Sequence, residues 1–222
     1  MFSRYAVAFS YLAAFIVAEF VYALLPGHDQ AAAVSWASTS VHNLEHDPAG
    51  CLAASAFITT GSLLAWPFLI AMAMFGANKL LGNWRLAVTC AAAHIIGTLV
   101  SEGIMAARVD QGSLPVTGNY LTDVGPSYIV VAAIAVGLLH GRRIIRALAA
   151  IDFVLLVFVG HIFAGLTQLQ VSAVGHLTAL FTGAAISTVL MVRKRGKVAD
   201  AKRNALPAWY TSPEDQLLNW AG

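Results

Sequence analysis

Charge is what this sequence has least of. Only 11% of its 222 residues are Asp, Glu, Lys or Arg, while 59% are hydrophobic. Soluble domains carry about 25% charged and about 45–50% apolar residues. A chain this poor in charge cannot cover a globule with polar surface, which excludes an ordinary soluble enzyme and a disordered chain. The formal net charge of +2 is too small for a nucleic-acid binder. Cysteine is scarce too: Cys51 and Cys90 alone make no disulfide framework. What the sequence does have is long apolar runs separated by short polar ones. That pattern describes an all-α, polytopic membrane protein.

Turn residues and charges divide the chain into six expected spans. Tyr5–Leu25 is apolar over the length a bilayer requires and lacks a small-residue cleavage pattern, so it reads as a retained first helix rather than a signal peptide. A polar stretch from Pro26 to Gly50 follows, and Cys51–Gly61 is apolar but short, so it is expected to dip into the interface. The remaining spans are expected at Leu63–Ala77, Leu86–Ala107, Ser127–His140, Ala147–Thr167 and Val171–Val192. Residues 1–192 thus form the expected transmembrane domain, and residues 193–222 a polar tail carrying Trp209, Tyr210 and Trp220, a candidate docking segment.

The cations orient this arrangement. With the N-terminus inside, Arg4, Lys79, Arg85, Arg142, Arg143, Arg146 and the basic tail all fall inside, and of the 13 Lys and Arg only Arg108 falls outside. This is the bias of the positive-inside rule. Both termini are expected in the cytoplasm, with the protein in a bacterial plasma membrane.

The fourth span is anomalous. Ser127–Leu139 makes only about 20 Å of helix, against a hydrocarbon core of about 30 Å. The arginines after it fix its inner end, so its outer end should lie below the outer surface. Irregular backbone at that depth must be buried or line a water-filled cavity. A polar pit opening outward is expected, with Ser127 on its floor.

Ionisable groups within spans are costly and functional by default. They are Glu19, His94, Glu102, Asp152, His161 and His176. His94, Thr98, Ser101 and Glu102 share one helical face and form a polar stripe toward the bundle, for which interhelical hydrogen bonding is the simplest role. Glu19 is the expected partner of that stripe, and Asp152 is expected to pair with His140 or the inner arginines. Ser127 and His176 are different. A serine becomes a nucleophile when a base removes its proton, which suits an imidazole. A helix N-terminus also offers N–H groups and a positive dipole end to an oxyanion. On chemistry alone, an N-cap serine and a satisfied core histidine remain the competing account.

These residues resemble the rhomboid family of intramembrane serine proteases. Gly125-Pro126-Ser127-Tyr128 is similar to the family's nucleophile motif at the head of a short fourth helix. Gly175-His176-Leu177-Thr178-Ala179, continuing to Gly183, is similar to the sixth-helix motif that carries its base. Asp47-Pro48 through Ser55-Ala56-Phe57 resembles the segment entering the family's first loop, and Lys79-Leu80-Leu81-Gly82 the end of its second helix. The resemblance covers roughly residues 45–192 and implies a six-helix rhomboid-like bundle with catalytic Ser127 and His176. Gly125, Tyr128, Glu102, His94 and His161 would support them in an oxyanion or outer layer of the site. Two departures stand out. The family's His-x-x-x-Asn pair is absent from Leu63-Leu64-Ala65-Trp66-Pro67-Phe68, and Tyr128 replaces the glycine beside the nucleophile. Thr59, Ser62 and Tyr120 are candidate substitute donors.

Two functions follow. One is an intramembrane serine protease that cleaves transmembrane segments through a Ser127/His176 dyad, without metal or cofactor. The other is an inactive pseudoprotease that binds transmembrane helices or serves as a subunit of a larger membrane complex. Either way the partners are the lipid bilayer and membrane helices, not nucleic acid. His42-Asn43-Leu44-Glu45-His46 has the spacing of an inverted zinc-protease motif, but no third ligand is marked out and no metal site is expected. A transporter using Glu102, His161 and His176 is disfavoured because the spans show no inverted repeat.

Overall fold

The structure, a computed structural model, describes residues 2–62 and 64–204. Every regular element among them is helical: α1 (Ala6–Leu24), α2 (Gly27–Ala37), α3 (Val41–His46), α4 (Pro48–Ser55), α5 (Ala65–Leu81), α6 (Asn83–Asp110), α7 (Ser127–His140), α8 (Arg143–Phe158) and α9 (Val171–Asn204). Among the described residues, Ser3–Leu24, Asn83–Asp110 and Val171–Lys194 are long and apolar enough to cross a membrane, while α5 and α7 are shorter apolar helices. The chain divides into two compact units, Met1–Ser187 and Thr188–Gly222. The described part of the second, residues 188–204, is helical. Trp209, Tyr210 and Trp220 lie outside the described residues.

In the first unit α7 is the centre. It is apolar all round, which is what a fully buried helix requires, and Tyr128 through Gly137 are all buried. It packs against α5, α6 and α8. Close approach depends on small residues: a Cβ on Gly137 would lie 2.7 Å from Ala149 Cβ, and one on Gly183 would lie 2.8 Å from Ala132 Cα. The outer faces are apolar, with Phe20, Phe68, Ile144 and Phe158 all more than 60% exposed. An exposed apolar surface of this extent is the surface of a membrane protein.

Several boundaries differ from the sequence expectation. The polar stretch after α1 contains two helices, and the expected dipping segment Cys51–Gly61 is helical only to Ser55, as the end of the capped helix α4. Asp47 accepts from the Gly50 N–H at 2.9 Å and Pro48 occupies the first turn, which starts a helix where hydropathy alone shows none. The span expected at Ala147–Thr167 is instead α8, Arg143–Phe158. It begins among the arginines and ends before Gly160, followed by left-handed backbone at His161 (φ 51°), Gly165 (φ 77°) and Leu169 (φ 55°). The polar tail expected from residue 193 begins as helix, because α9 continues through the basic residues to Asn204.

Candidate functional site

Ser127 is the first residue of α7, a helix with no side-chain cap. The loop that delivers it is tied down on three sides. Gly125 holds φ +133°, a backbone conformation that favours glycine, and its N–H donates to the Ser55 carbonyl at the end of α4 (2.8 Å). The Asp123 carbonyl accepts from the Thr39 N–H at 2.9 Å and from the Thr39 hydroxyl at 3.1 Å. The Asp123 N–H donates to Ser38 Oγ at 2.9 Å. The segment before α3 and the α6–α7 loop are thereby laced together next to the serine.

Tyr128 completes the lacing. Its hydroxyl donates to Asp123 Oδ2 at 2.8 Å, and its ring meets His176 edge-on with centroids 5.0 Å apart and His94 at 6.1 Å. Gly97 and Gly175 leave room for this ring. A Cβ on Gly175 would overlap the Tyr128 hydroxyl, and one on Gly97 would lie 3.3 Å from the ring. Asp123 lies between spans. Burial pushes its carboxyl above the usual carboxylate range, and the Tyr128 and Thr39 hydrogen bonds oppose that shift.

Ser127 borders a narrow crevice, too tight to admit a water molecule, that it shares with Thr39, Ser55, His94, Asp123 and Tyr128. His94 Nε2 lies 3.0 Å from the Leu52 carbonyl and 3.2 Å from Ser55 Oγ. A carbonyl only accepts, so Nε2 carries the proton. Nδ1 is then the unprotonated nitrogen, buried and without a hydrogen-bond partner. His176 is 4% exposed. Its Nδ1 faces Ser172 Oγ at 3.3 Å and its Nε2 is buried with no partner. No hydrogen bond links His176 to Ser127, and His176 is not among the residues lining the cleft.

The other expected groups fall as follows. The stripe His94, Thr98, Ser101 and Glu102 is buried along its length, as its spacing predicts. Both Glu102 oxygens and the Thr98 hydroxyl lack partners. Glu19 is buried but does not pair with that stripe; it accepts from the Thr59 N–H at 2.6 Å, beside the turn after α4. Asp152 is fully buried and neither oxygen has a partner, so the expected pairing with His140 or the arginines is not made. His161 was expected within a span but sits exposed in the turn beyond α8. Ser62 and Tyr120 do not line the cleft; Tyr120 is 60% exposed, with its ring 4.8 Å from His42. Thr59 approaches through Gly125, whose Cβ would lie 3.9 Å from Thr59 Oγ1. His42 and His46 stack with centroids 4.3 Å apart, and no third metal-ligating side chain joins them among the described residues. Sequence reasoning missed Thr39, Ser55 and Asp123. Asp123, two residues before Gly125, was the legible signal among them.

A family model described as rhomboid-like protein matches residues 3–198. No curated protein and no solved structure matches the chain. A match over nearly the whole chain, together with an all-helical apolar fold and a serine heading a short buried helix, leads to one conclusion: this chain belongs to the rhomboid-like protein family.

Proposed function

We propose that the protein is an intramembrane serine endopeptidase, crossing the bilayer six times with both termini inside, that cleaves transmembrane segments at Ser127. One observation carries this reading. Ser127 stands at the uncapped N-terminus of the buried helix α7, beside a narrow crevice lined by Thr39, Ser55, His94, Asp123 and Tyr128. The free N–H groups and positive end of α7 favour an oxyanion at that point. His176 is the base. Its ring lies against Tyr128, the residue after the serine, and a Ser–His hydrogen bond that is open in the free enzyme closes in the substrate complex. Ser127 Oγ adds to the scissile carbonyl carbon while its proton passes to His176 Nε2. The proton then goes to the leaving amine nitrogen as the peptide C–N bond breaks, and water hydrolyses the acyl-serine ester. The step calls for no metal or cofactor.

The substrate class follows from the surroundings. His94 lines both the cleft and an adjoining cavity of about 500 Å³ whose other walls include Val7, Leu52, Met74 and Ile95. An apolar segment can approach the cleft along these walls. The test is labelling of the purified protein with a fluorophosphonate probe. Labelling lost in Ser127→Ala supports the reading, and labelling that persists in that variant overturns it.

A second reading is favoured by a separate observation. Trp66-Pro67-Phe68 occupies the head of α5, where the family places an oxyanion pair, and Tyr128 is fixed beside the serine by Asp123. Losing one oxyanion donor costs about 10²–10³ in rate. A pseudoprotease that binds transmembrane helices would show no labelling, together with a co-purified membrane partner that is retained in Ser127→Ala.

A further inference from the structure

At the opposite end of α7 from Ser127, a cavity of about 1020 Å³ is lined by Arg4, Lys79, Arg142, Arg143 and Arg146. No acidic residue lines it, and among the described residues none of the five is in an ion pair. These cations come from three separate segments: the turn before α1, the last turn of α5 and the α7–α8 junction. The fold brings them together. Asn78 is buried on α5; its Nδ2 donates to the Arg4 carbonyl at 3.1 Å, and its Oδ1 accepts from the Ala8 N–H at 3.1 Å. Asn83 Nδ2 donates to the Ser3 carbonyl at 2.6 Å. These bonds hold Arg4 beside Lys79. On the other side, a Cβ on Gly76 would lie 2.9 Å from Ile145 Cγ2, so α5 and the start of α8 are in close contact. A Cβ on Gly141 would overlap the Gly137 carbonyl, so the tight turn carrying Arg142 and Arg143 requires glycine there. Arg146 Nε donates to the Leu138 carbonyl at 3.0 Å, which leaves its terminal nitrogens for a ligand.

We propose that this cavity binds the phosphate headgroup of an anionic glycerophospholipid. Converging like charges with no acid among them need an anion to offset their repulsion. The level is that of headgroups, because the apolar helices α1, α5 and α7 all begin or end there. The walls fit a lipid better than a soluble phosphate. Ile144, 75% exposed, stands among the cations and offers an apolar contact to acyl chains. Guanidinium groups suit phosphate through paired N–H donors, and a basic pocket between membrane helices is a site of this chemistry.

The experiment uses the purified full-length chain in neutral detergent micelles, titrated with dioleoyl phosphatidylglycerol and followed by native mass spectrometry. Dioleoyl phosphatidylcholine and inorganic phosphate are parallel arms. Phosphatidylglycerol is expected to be retained and not displaced by millimolar phosphate, while phosphatidylcholine is not retained. Arg142→Gln/Arg143→Gln is expected to weaken retention about thirty-fold, at about 1 kcal/mol per charge removed. Arg85→Gln/Arg193→Gln, which removes the same charge elsewhere, is expected to leave it unchanged. If the pocket variant does not fold, Lys79→Gln, at an exposed side chain in the last turn of α5, carries the same comparison, with a drop of about five-fold. Equal retention of the two lipids, or equal weakening by the control pair, overturns the proposal. Displacement by inorganic phosphate overturns the lipid assignment in favour of a soluble phosphate ligand.

Discussion

The Tyr128 hydroxyl donates to the Asp123 carboxylate at 2.8 Å, across the tight turn whose next residue is the candidate nucleophile. That bond fixes the ring beside His176 and joins the α6–α7 loop to the start of α7. The tyrosine therefore does not merely fill the position of a glycine in the family motif. Gly97 and Gly175 have made space for it, and Asp123, whose carboxylate also accepts from Thr39, holds its tip.

Removing that hydroxyl tests the bond. Tyr128→Phe keeps the ring but leaves a partly buried carboxylate short of a donor. It is expected to lower stability by about 1.5–3 kcal/mol, the range for hydrogen bonds to charged groups. Asp123→Asn keeps an acceptor for the same hydroxyl and is expected to cost less. Thermal unfolding of the two variants in the same detergent checks the order.

Asp123 also sets a pH dependence. Burial raises its folded pKa above the unfolded value, so the folded state favours the protonated form. Its stabilising contribution is therefore present at low pH and is lost as pH rises through the folded value. Relative to Asp123→Asn, the wild-type protein should gain stability as pH falls from neutral toward the acid range. Melting temperatures of the pair across that range should converge or cross in that direction. A gap that widens in the opposite sense contradicts the assignment.

Gly175→Ala probes the space rather than the bond. The added methyl would overlap the Tyr128 hydroxyl, so the ring must shift or α9 must move away from α7. Overpacking of this kind costs about 1–3 kcal/mol. Because the displaced ring lies against His176, probe labelling of Ser127 is expected to fall as well. Gly103→Ala, on the same helix as Gly97 but facing open space, is the control expected to leave both readouts near wild type.

Much of this was legible in the chain before any coordinates. The excess of apolar residues and the spacing of charge marked an all-helical membrane protein, and the short stretch between Pro126 and the arginines marked α7. The stripe from His94 to Glu102 turned inward because its spacing is that of one helical face. Hydropathy could not show where polar groups find their partners. Glu19 pairs with a backbone N–H forty residues away, and the Asp47-Pro48 cap starts a helix within a stretch that reads as loop. α8 also begins inside the arginine cluster, since a helix starts where its backbone bonds start and not where its charges end. The residues around Ser127 come from the α2–α4 segment, α6, the α6–α7 loop and α7 itself, and the sequence separations involved, such as Thr39 to Asp123, carry no local pattern.

Asn78 is the structural hub at the other end. It is 1% exposed and joins Arg4, Ala8 and Asn83 through hydrogen bonds of 3.0–3.1 Å. Asn78→Ala strands those groups and is expected to cost about 1–3 kcal/mol. It should also release the start of α1, which increased hydrogen exchange at the Ala8 amide would show.

The central claim is that Ser127 is a nucleophile and His176 its base, and active-site labelling tests it most directly. The wild-type protein, reconstituted in bilayers and treated with a fluorophosphonate probe, should carry the label at Ser127, as located by peptide mass spectrometry. Ser127→Ala should carry none, and His176→Ala should label about 10²–10⁴-fold more slowly, the range of general-base contributions. Wild-type protein that does not label while remaining folded, or His176→Ala that labels at the wild-type rate, contradicts the account.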